Sequence, residues 1–186
     1  MATATIPVEL QALLDREKIR DCIARLARGE DRRCDERIKR CFWPSATTDY
    51  GIFAGDLPAY LEWVVPGSPA VVLTQHILGQ TLIQLESDEE AAAETHVMAY
   101  HRVNTGSEER DLVLGGRYLD RLEKRRGEWR IIERTMLYDW SQDWGQSADW
   151  RQGLMGMAFS GDQFIGKTFD DFSESFFIEG HPDREQ

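Results

Sequence analysis

A single histidine lies in the middle of an apolar stretch of the chain. Residues 71–80 read as a buried β-strand, with His76 at its centre. An imidazole buried there needs a hydrogen-bond partner, because an unpaired polar group in the interior costs about 1–3 kcal/mol. The acidic turn at residues 29–33 offers Asp31 as that partner. A carboxylate that fixes one tautomer of an imidazole prepares the ring to act as a general base.

Two other interpretations of these residues stay open. His76 could be a core histidine with purely structural hydrogen bonds, and Asp31 could be a surface acid paired with Arg32 or Arg33. A carboxylate beyond hydrogen-bond reach of the ring, or a filled pocket, would favour a protein without catalytic activity.

Polar and aromatic residues elsewhere in the chain could complete a site around the histidine. A leaving group needs an acid or an anion stabiliser on the other side of the pocket, and the candidates are Tyr50, His101, Tyr118, Arg134 and Tyr138. Arg134 shares one face of the last predicted strand with methionine and aromatic residues, a pattern typical of a wall that binds an aromatic ligand. The candidates for substrate binding are Trp43, Tyr118, Met136 and Tyr138.

Each of these candidates also has a structural interpretation. Arg134 could extend to the surface, Tyr50 could be a sheet aromatic, and Trp43 could belong to the core. His96 and His101 stand five positions apart, so one strand should aim them at opposite faces. Which of the two histidines faces the pocket is left open.

Composition and charge exclude several classes of protein. The chain has 186 residues and a net charge of −11, which argues against binding to nucleic acid or to an anionic membrane surface. Its three cysteines lack metal-ligand spacing and predict free thiols in a reducing compartment. The first residues have neither a basic nor an apolar segment, so no signal peptide is expected. We find no apolar window long enough to cross a bilayer, and no phosphate-loop, GxSxG or HExxH motif. A cytoplasmic protein without a metal site is expected.

The order of predicted elements indicates an α+β fold. The first expected helix covers residues 7–28, with Asp15 as N-cap and Gly29 as stop. The second runs from an Asp35 cap through Phe42 and is ended by Pro44, and the third covers residues 57–64 after an Asp56 cap. The expected strands are at 47–54, 71–86, 92–103, 110–121 and 128–140. Short turns between the last four strands predict antiparallel hairpins. We therefore expect a curved, mixed or antiparallel sheet wrapped around the N-terminal helices as a cone that encloses an apolar pocket.

The end of the chain differs from the part before it. Residues 1–142 form the predicted domain, whereas residues 143–186 combine many aromatic side chains with glycines and acids. Aromatic residues at this density are not expected to stay in water. We expect this C-terminal extension to pack over the pocket mouth or onto a neighbouring subunit.

Several motifs resemble the SnoaL-like branch of the nuclear transport factor 2-like superfamily, which has a cystatin-like roll. Residues 75–79 are similar to the strand that carries the catalytic histidine of scytalone dehydratases. Residues 30–33 resemble the acidic turn of hexachlorocyclohexane dehydrochlorinases, and residues 115–120 with 127–130 resemble the last hairpin of those enzymes. The resemblance covers about residues 10–142.

The resemblance implies roles for individual residues. It makes His76 the base, Asp31 the group that orients it, His101 a second histidine and Arg134 the stabiliser of the leaving anion. The dehydrochlorinases have a lysine near the position of Leu26, and its absence here favours an oxygen leaving group. The resemblance also implies a water-poor pocket, no cofactor and a homo-oligomer, with a trimer favoured and a dimer possible.

The combined hypothesis is a cofactor-independent lyase of the dehydratase type. It would use the Asp31–His76 pair to eliminate water from a small hydroxylated aromatic or polycyclic substrate. The alternatives are an isomerase or cyclase that uses a carboxylate base, a non-catalytic small subunit of a ring-hydroxylating dioxygenase, and a ligand-binding module.

Overall fold

The computed structural model describes residues 6–176 as three helices, six strands and a C-terminal segment with three short turns of 3-10 helix. The elements are α1 (Val8–Asp31), α2 (Asp35–Cys41), β1 (Phe42–Asp49), β2 (Ala54–Asp56), α3 (Leu57–Val64), β3 (Val71–Leu85), β4 (Glu90–Asn104), β5 (Glu109–Arg125) and β6 (Glu128–Gln146). The 3-10 turns are Trp150–Gln152, Asp162–Phe164 and Phe172–Glu174.

The six strands form one mixed sheet in the order β2-β1-β6-β5-β4-β3. All neighbouring pairs are antiparallel except β1 and β6, which run parallel. The hairpin between β5 and β6 turns on Arg126 and Gly127, both with positive φ, as a two-residue turn between twisted strands requires. The sheet is open and cone-like, so the predicted α+β class and wrapped-sheet architecture are confirmed.

The hydrophobic core lies between α1 and the sheet. Ile19, Ile23 and Leu26 recur at helical spacing on α1 and are almost completely buried. They belong to one cluster with Phe42 of β1 and Ile131 of β6. This packing fixes the direction of α1, and therefore the place where its last turn meets the sheet. Among the helices of residues 6–176, none has the length and apolar character needed to cross a bilayer.

Helix α1 does not stop at Gly29 as predicted but continues to Asp31. A Cβ atom on Gly29 would lie 3.1 Å from Cγ1 of Ile38, so this glycine allows α2 to approach α1 closely. The extra half-turn carries Glu30 and Asp31 as helical residues rather than as parts of a loop.

Pro44 does not end the second helix, which stops at Cys41 and leads directly into β1. The pairing of β1 with β6 is irregular between Phe42 and Thr47. Pro44 lies inside this gap, where its missing N–H removes no ladder hydrogen bond. The predicted strand at 47–54 therefore begins five residues earlier, and the chain turns after Asp49 before β2 starts at Ala54.

The described part of the C-terminal extension contacts both helices and strands of the domain. Strand β6 crosses the expected boundary at residue 142 and ends at Gln146. Further on, Glu174 forms ion pairs with Arg28 and Arg37, and the hydroxyl of Thr168 donates to the backbone oxygen of Val72. Eight large apolar side chains of its described part remain exposed, namely Trp144, Leu154, Met155, Met157, Phe164, Phe169, Phe172 and Phe176. Contact with a neighbouring subunit stays a prediction, and residues 177–186 lie outside the described part of the chain.

Asp15 is not the N-cap of α1 but a buried residue inside the helix. Its carboxylate accepts hydrogen bonds from Nε1 of Trp129 (2.8 Å) and Nζ of Lys124 (2.9 Å). Burial by itself raises the pKa of Asp15, but these hydrogen bonds outweigh it and hold the pKa below its ordinary value. Asp15 therefore ties the first half of α1 to the β5–β6 hairpin.

We expect Asp15→Ala to lower the free energy of unfolding by about 2–4 kcal/mol, because it leaves a buried indole N–H and a largely buried ammonium without their acceptor. Denaturant unfolding measures this change. Asp21→Ala is the matched control, since it removes an exposed ion pair with Arg25 on the same helix and should cost less than about 0.5 kcal/mol. Equal losses in the two variants would contradict the assigned role of Asp15.

Candidate active site

A cavity of about 380 Å³ opens between the end of α1, helix α3 and strands β3 to β6. Most of its wall is apolar or aromatic, and a few polar groups converge on its inner part. The aromatic and apolar lining includes Tyr50, Tyr60, Trp63, Leu114, Tyr118, Met136 and Tyr138, and the polar lining includes Glu30, Thr74, His76 and His101.

The structure joins Asp31 and His76 as the sequence predicts. Oδ1 of Asp31 lies 2.7 Å from Nδ1 of His76, and the backbone N–H of His76 donates to the same carboxylate at 3.1 and 3.2 Å. The carboxylate therefore holds both the strand and the ring. This contact places a hydrogen on Nδ1 and leaves Nε2 as the basic nitrogen.

Burial by itself lowers the pKa of His76, but the hydrogen bond from the ring to Asp31 and the negative charge of Glu30 outweigh it. The pKa of the imidazole therefore lies above its ordinary value. A raised pKa means a stronger base, provided that the ring is deprotonated when substrate binds.

Glu30 lies buried in the cavity lining, although our sequence analysis did not single it out. It is 5% exposed, and its Oε1 accepts a hydrogen bond from Tyr60 (2.5 Å) and a longer one from Tyr50 (3.4 Å). One signal could have found it: Glu30 continues the buried face of α1 by one more helical step after Leu26. The expected helix stop at Gly29 hid this position.

Arg134 neither reaches the surface nor lines the cavity, so the predicted contact with a leaving anion is wrong. It is 1% exposed and makes two hydrogen bonds with Asp120, its cross-strand partner, at 2.7 and 2.8 Å. Its guanidinium lies 4.0 Å from the ring centre of Tyr118, behind the cavity wall. Because Asp120 already neutralises its charge, Arg134 joins two neighbouring strands in the interior and is not available to bind an anion in the cavity.

Trp43 is also placed away from the cavity. It alternates with the buried Phe42 on β1 and therefore points to the other face of the sheet. Its Nε1 donates to the backbone oxygen of Glu123, and its ring packs against the guanidinium groups of Arg125 and Arg130. The predicted contact of Trp43 with substrate is therefore wrong.

The tyrosines differ in what their hydroxyl groups can do. The hydroxyl oxygens of Tyr60 and Tyr50 lie 3.0 Å apart, and both hydroxyls contact the carboxylate of Glu30. The hydroxyl of Tyr138 donates to the backbone oxygen of Tyr50. The hydroxyl of Tyr118 has no hydrogen-bond partner among residues 6–176. Tyr118 therefore offers the cavity a donor that no other described group occupies.

His101 faces the cavity and His96 does not. The ring centre of His101 lies 6.4 Å from that of His76, whereas His96 is about half exposed on the other face near Glu94. Burial and the charge of His76 lower the pKa of His101 to about 4. Within the described part of the chain, no group of three or more His, Cys, Asp or Glu side chains has the arrangement of a metal site.

A profile of the SnoaL-like domain matches residues 11–135, which is more than half of the chain. The chain belongs to this family. Among solved structures, a type 2 hexachlorocyclohexane dehydrochlorinase is 17% identical to this SnoaL-like protein, with a TM-score of 0.66 over 82% of this chain and 97% of the other. A scytalone dehydratase candidate from Novosphingobium aromaticivorans is 21% identical, with a TM-score of 0.66 over 82% and 100%.

A third similar structure is an aromatic ring hydroxylase candidate from Novosphingobium aromaticivorans. It is 16% identical, with a TM-score of 0.62 over 75% of this chain and 96% of the other. At these identities the likeness shows the shared fold alone. No curated protein matches the SnoaL-like protein at a significant level.

We expect the pKa values of the two cavity histidines, His76 and His101, to be shifted in opposite directions from the ordinary histidine value. The ring of His101 should stay neutral down to about pH 4, while His76 should gain its proton above the ordinary histidine pKa. NMR of ring-labelled histidines measures both midpoints. A midpoint for His76 below the ordinary histidine value of about 6.5 would contradict the geometry.

Proposed function

We propose that this SnoaL-like protein is a lyase that eliminates water from a small hydroxylated aromatic or polycyclic substrate. The observation that carries the proposal is the contact of 2.7 Å between Asp31 and His76 at an aromatic cavity. The names of two similar structures, a dehydrochlorinase and a scytalone dehydratase candidate, support elimination as the reaction class.

The general base is Nε2 of His76. It removes a proton from a carbon next to a carbonyl or similar activating group. The electron pair of the broken C–H bond forms the new C=C bond as the C–O bond to the leaving hydroxyl breaks. The proton on Nε2 then passes to the departing oxygen, which leaves as water. The loss of this proton restores the neutral ring.

Tyr118 is the donor that suits the departing oxygen. Among the other candidates of our sequence analysis, Arg134 is bound to Asp120 and Tyr50 lies in the hydrogen-bonded cluster around Glu30, whereas His101 remains in the cavity lining as a second possible donor. Burial raises the pKa of Tyr118 well above its ordinary value, so its proton stays in place at neutral pH. A neutral phenol next to the reacting carbon stabilises developing oxyanion charge by hydrogen bonding.

The shape of the cavity indicates the substrate class. A volume of about 380 Å³ is at the lower end of the usual range for small-molecule pockets and suits one ring or two fused rings. Tyr50, Trp63 and Tyr138 provide flat apolar walls for such rings. The open cavity and the close Asp31–His76 contact favour catalysis over a purely structural subunit. We also propose that the protein is a homo-oligomer.

One observation favours a second candidate function, an isomerase. Such an enzyme of this fold would use a carboxylate to move a proton between two carbons, and Glu30 is a buried carboxylate in the cavity wall. The loss of activity in single variants separates the two proposals. A base at Glu30 predicts that His76→Ala retains activity, and a base at His76 predicts that it does not.

We expect His76→Ala and Asp31→Asn each to lower turnover by about 10²–10⁴-fold, because the first removes the base and the second removes the charge that orients it. The assay follows dehydration of a bicyclic β-hydroxy ketone of the tetralone type to the corresponding fluorescent naphthol. Asp35→Asn, an exposed carboxylate on α2, is the matched control and should keep full activity. Unchanged turnover in either dyad variant, with circular dichroism showing a native fold, would refute the mechanism.

Tyr118→Phe should lower kcat about 10–100-fold with little change in KM, because it removes a donor that acts mainly on the departing oxygen. The phenyl ring keeps its packing against the guanidinium of Arg134. Tyr138→Phe is the control at the other side of the wall, where the hydroxyl is bound to a backbone oxygen. A larger loss of kcat in Tyr138→Phe than in Tyr118→Phe would show that Tyr118 is not the donor.

A further inference from the structure

The second carboxylate oxygen of Glu30 is buried without a hydrogen bond. The side chain is 4% exposed, and Oε2 has no hydrogen-bond partner among residues 6–176. The hydroxyl of Tyr60, with the more distant one of Tyr50, satisfies only Oε1. A buried acceptor with no donor is unfavourable, so its place in the cavity wall calls for an explanation.

The other charged and titratable groups around Glu30 identify what Oε2 faces. Nη1 of Arg134 lies 3.8 Å from Oε1, the oxygen that already accepts from Tyr60. Nε2 of His76 lies 3.8 Å from Oε2 itself. In the tautomer that Asp31 selects, Nε2 carries no hydrogen, so the resting ring has nothing to donate to Oε2.

We propose that Glu30 is the counter-ion of His76 in the state that follows proton transfer. When the substrate C–H bond breaks, the proton forms the Nε2–H bond and the electron pair stays on the substrate. The new Nε2–H then donates to Oε2 of Glu30, while Nδ1–H still donates to Asp31. This inference rests on the proposed function, because it gives His76 the role of base.

Each nitrogen of the imidazolium would then donate to one carboxylate, Nδ1 to Asp31 and Nε2 to Glu30. The remaining groups near the ring oppose this charge only weakly: Arg134 is neutralised by Asp120, and the buried His101 is neutral at pH 7. A hydrogen bond from Nε2–H to Oε2 exists only after the proton has moved. Glu30 would therefore stabilise the transition state more than the bound substrate, which raises kcat rather than lowering KM.

The test is the ring titration of His76 in the full chain, with Glu30→Gln compared with wild type. Glutamine keeps the volume and the acceptor for Tyr60 but replaces the charged oxygen near Nε2 with an NH₂ group. We expect the midpoint of His76 to fall by about one pH unit or more, a tenfold loss of proton affinity. Glu62→Gln, an exposed carboxylate on α3, should leave the midpoint unchanged. A fall of less than about half a unit in Glu30→Gln would overturn the proposal.

A second measurement uses the wild-type protein and does not depend on the folding of a variant. Below the midpoint of His76, NMR at low temperature should show two downfield ring N–H signals for this residue, one for each nitrogen. The Nε2–H signal should be protected from exchange with water, as a buried hydrogen bond to a carboxylate requires. An Nε2–H that exchanges as fast as that of the exposed His96 would overturn the proposal.

Kinetics then connect the counter-ion to the reaction. In Glu30→Gln, kcat should fall about 10–100-fold while KM changes less than about twofold, and the acid limb of the pH profile should move to lower pH together with the ring midpoint. A rise in KM with an unchanged kcat would mean that Glu30 contacts the substrate instead, and would contradict its role as counter-ion. The titration needs no substrate, so a missing dehydratase activity with a shifted midpoint would refute the proposed function and leave the counter-ion in place.

Discussion

The site depends on one carboxylate that binds a strand and a side chain at once. Asp31 accepts hydrogen bonds from the backbone N–H of His76 and from its ring Nδ1. The first contact fixes the end of α1 against the middle of β3, and the second fixes the rotation and the tautomer of the imidazole. A change in the position of the helix would therefore move the base as well. The core contacts of α1 thus support the chemistry as well as the fold.

The balance of buried charge sets the character of the cavity. Asp120 and Arg134 form a closed pair on neighbouring strands, which leaves Glu30 as an additional buried carboxylate beside them. Two tyrosine hydroxyls share the charge at Oε1, while Oε2 faces the ring of His76. A wall of this kind favours a cation on His76 and disfavours an anion nearby. In the elimination that we propose, the departing oxygen would therefore need a separate donor, and Tyr118 of the cavity lining is the residue proposed for that role.

Much of the fold could be predicted from local patterns. The Asp56 cap, the four long strands and the histidine on β3 follow from propensity and periodicity within short windows. The errors arise where a distant part of the chain decides. Gly29 permits a close contact with α2, Pro44 lies in an irregular pairing with β6, and Arg134 is held by a partner fourteen positions earlier. A single sequence contains no local signal for such contacts. The Asp31–His76 pair is also distant in sequence, but it was accessible because both residues lie in motifs that resemble the family, and no such motif indicated that Asp120 occupies Arg134.

The continuation of α1 past Gly29 gives the two acidic residues their separate tasks. Consecutive residues on a helix point about 100° apart, so Glu30 and Asp31 cannot approach a ligand from the same side. With His76 beside the last helical turn, this divergence directs one carboxylate to Nδ1 and the other toward Nε2. An extended loop would alternate their directions and could not hold one ring between them. The two carboxylates therefore reach the two ring nitrogens because they are helical residues, and Gly29, just before them in the helix, leaves the room that α2 needs to pack closely there.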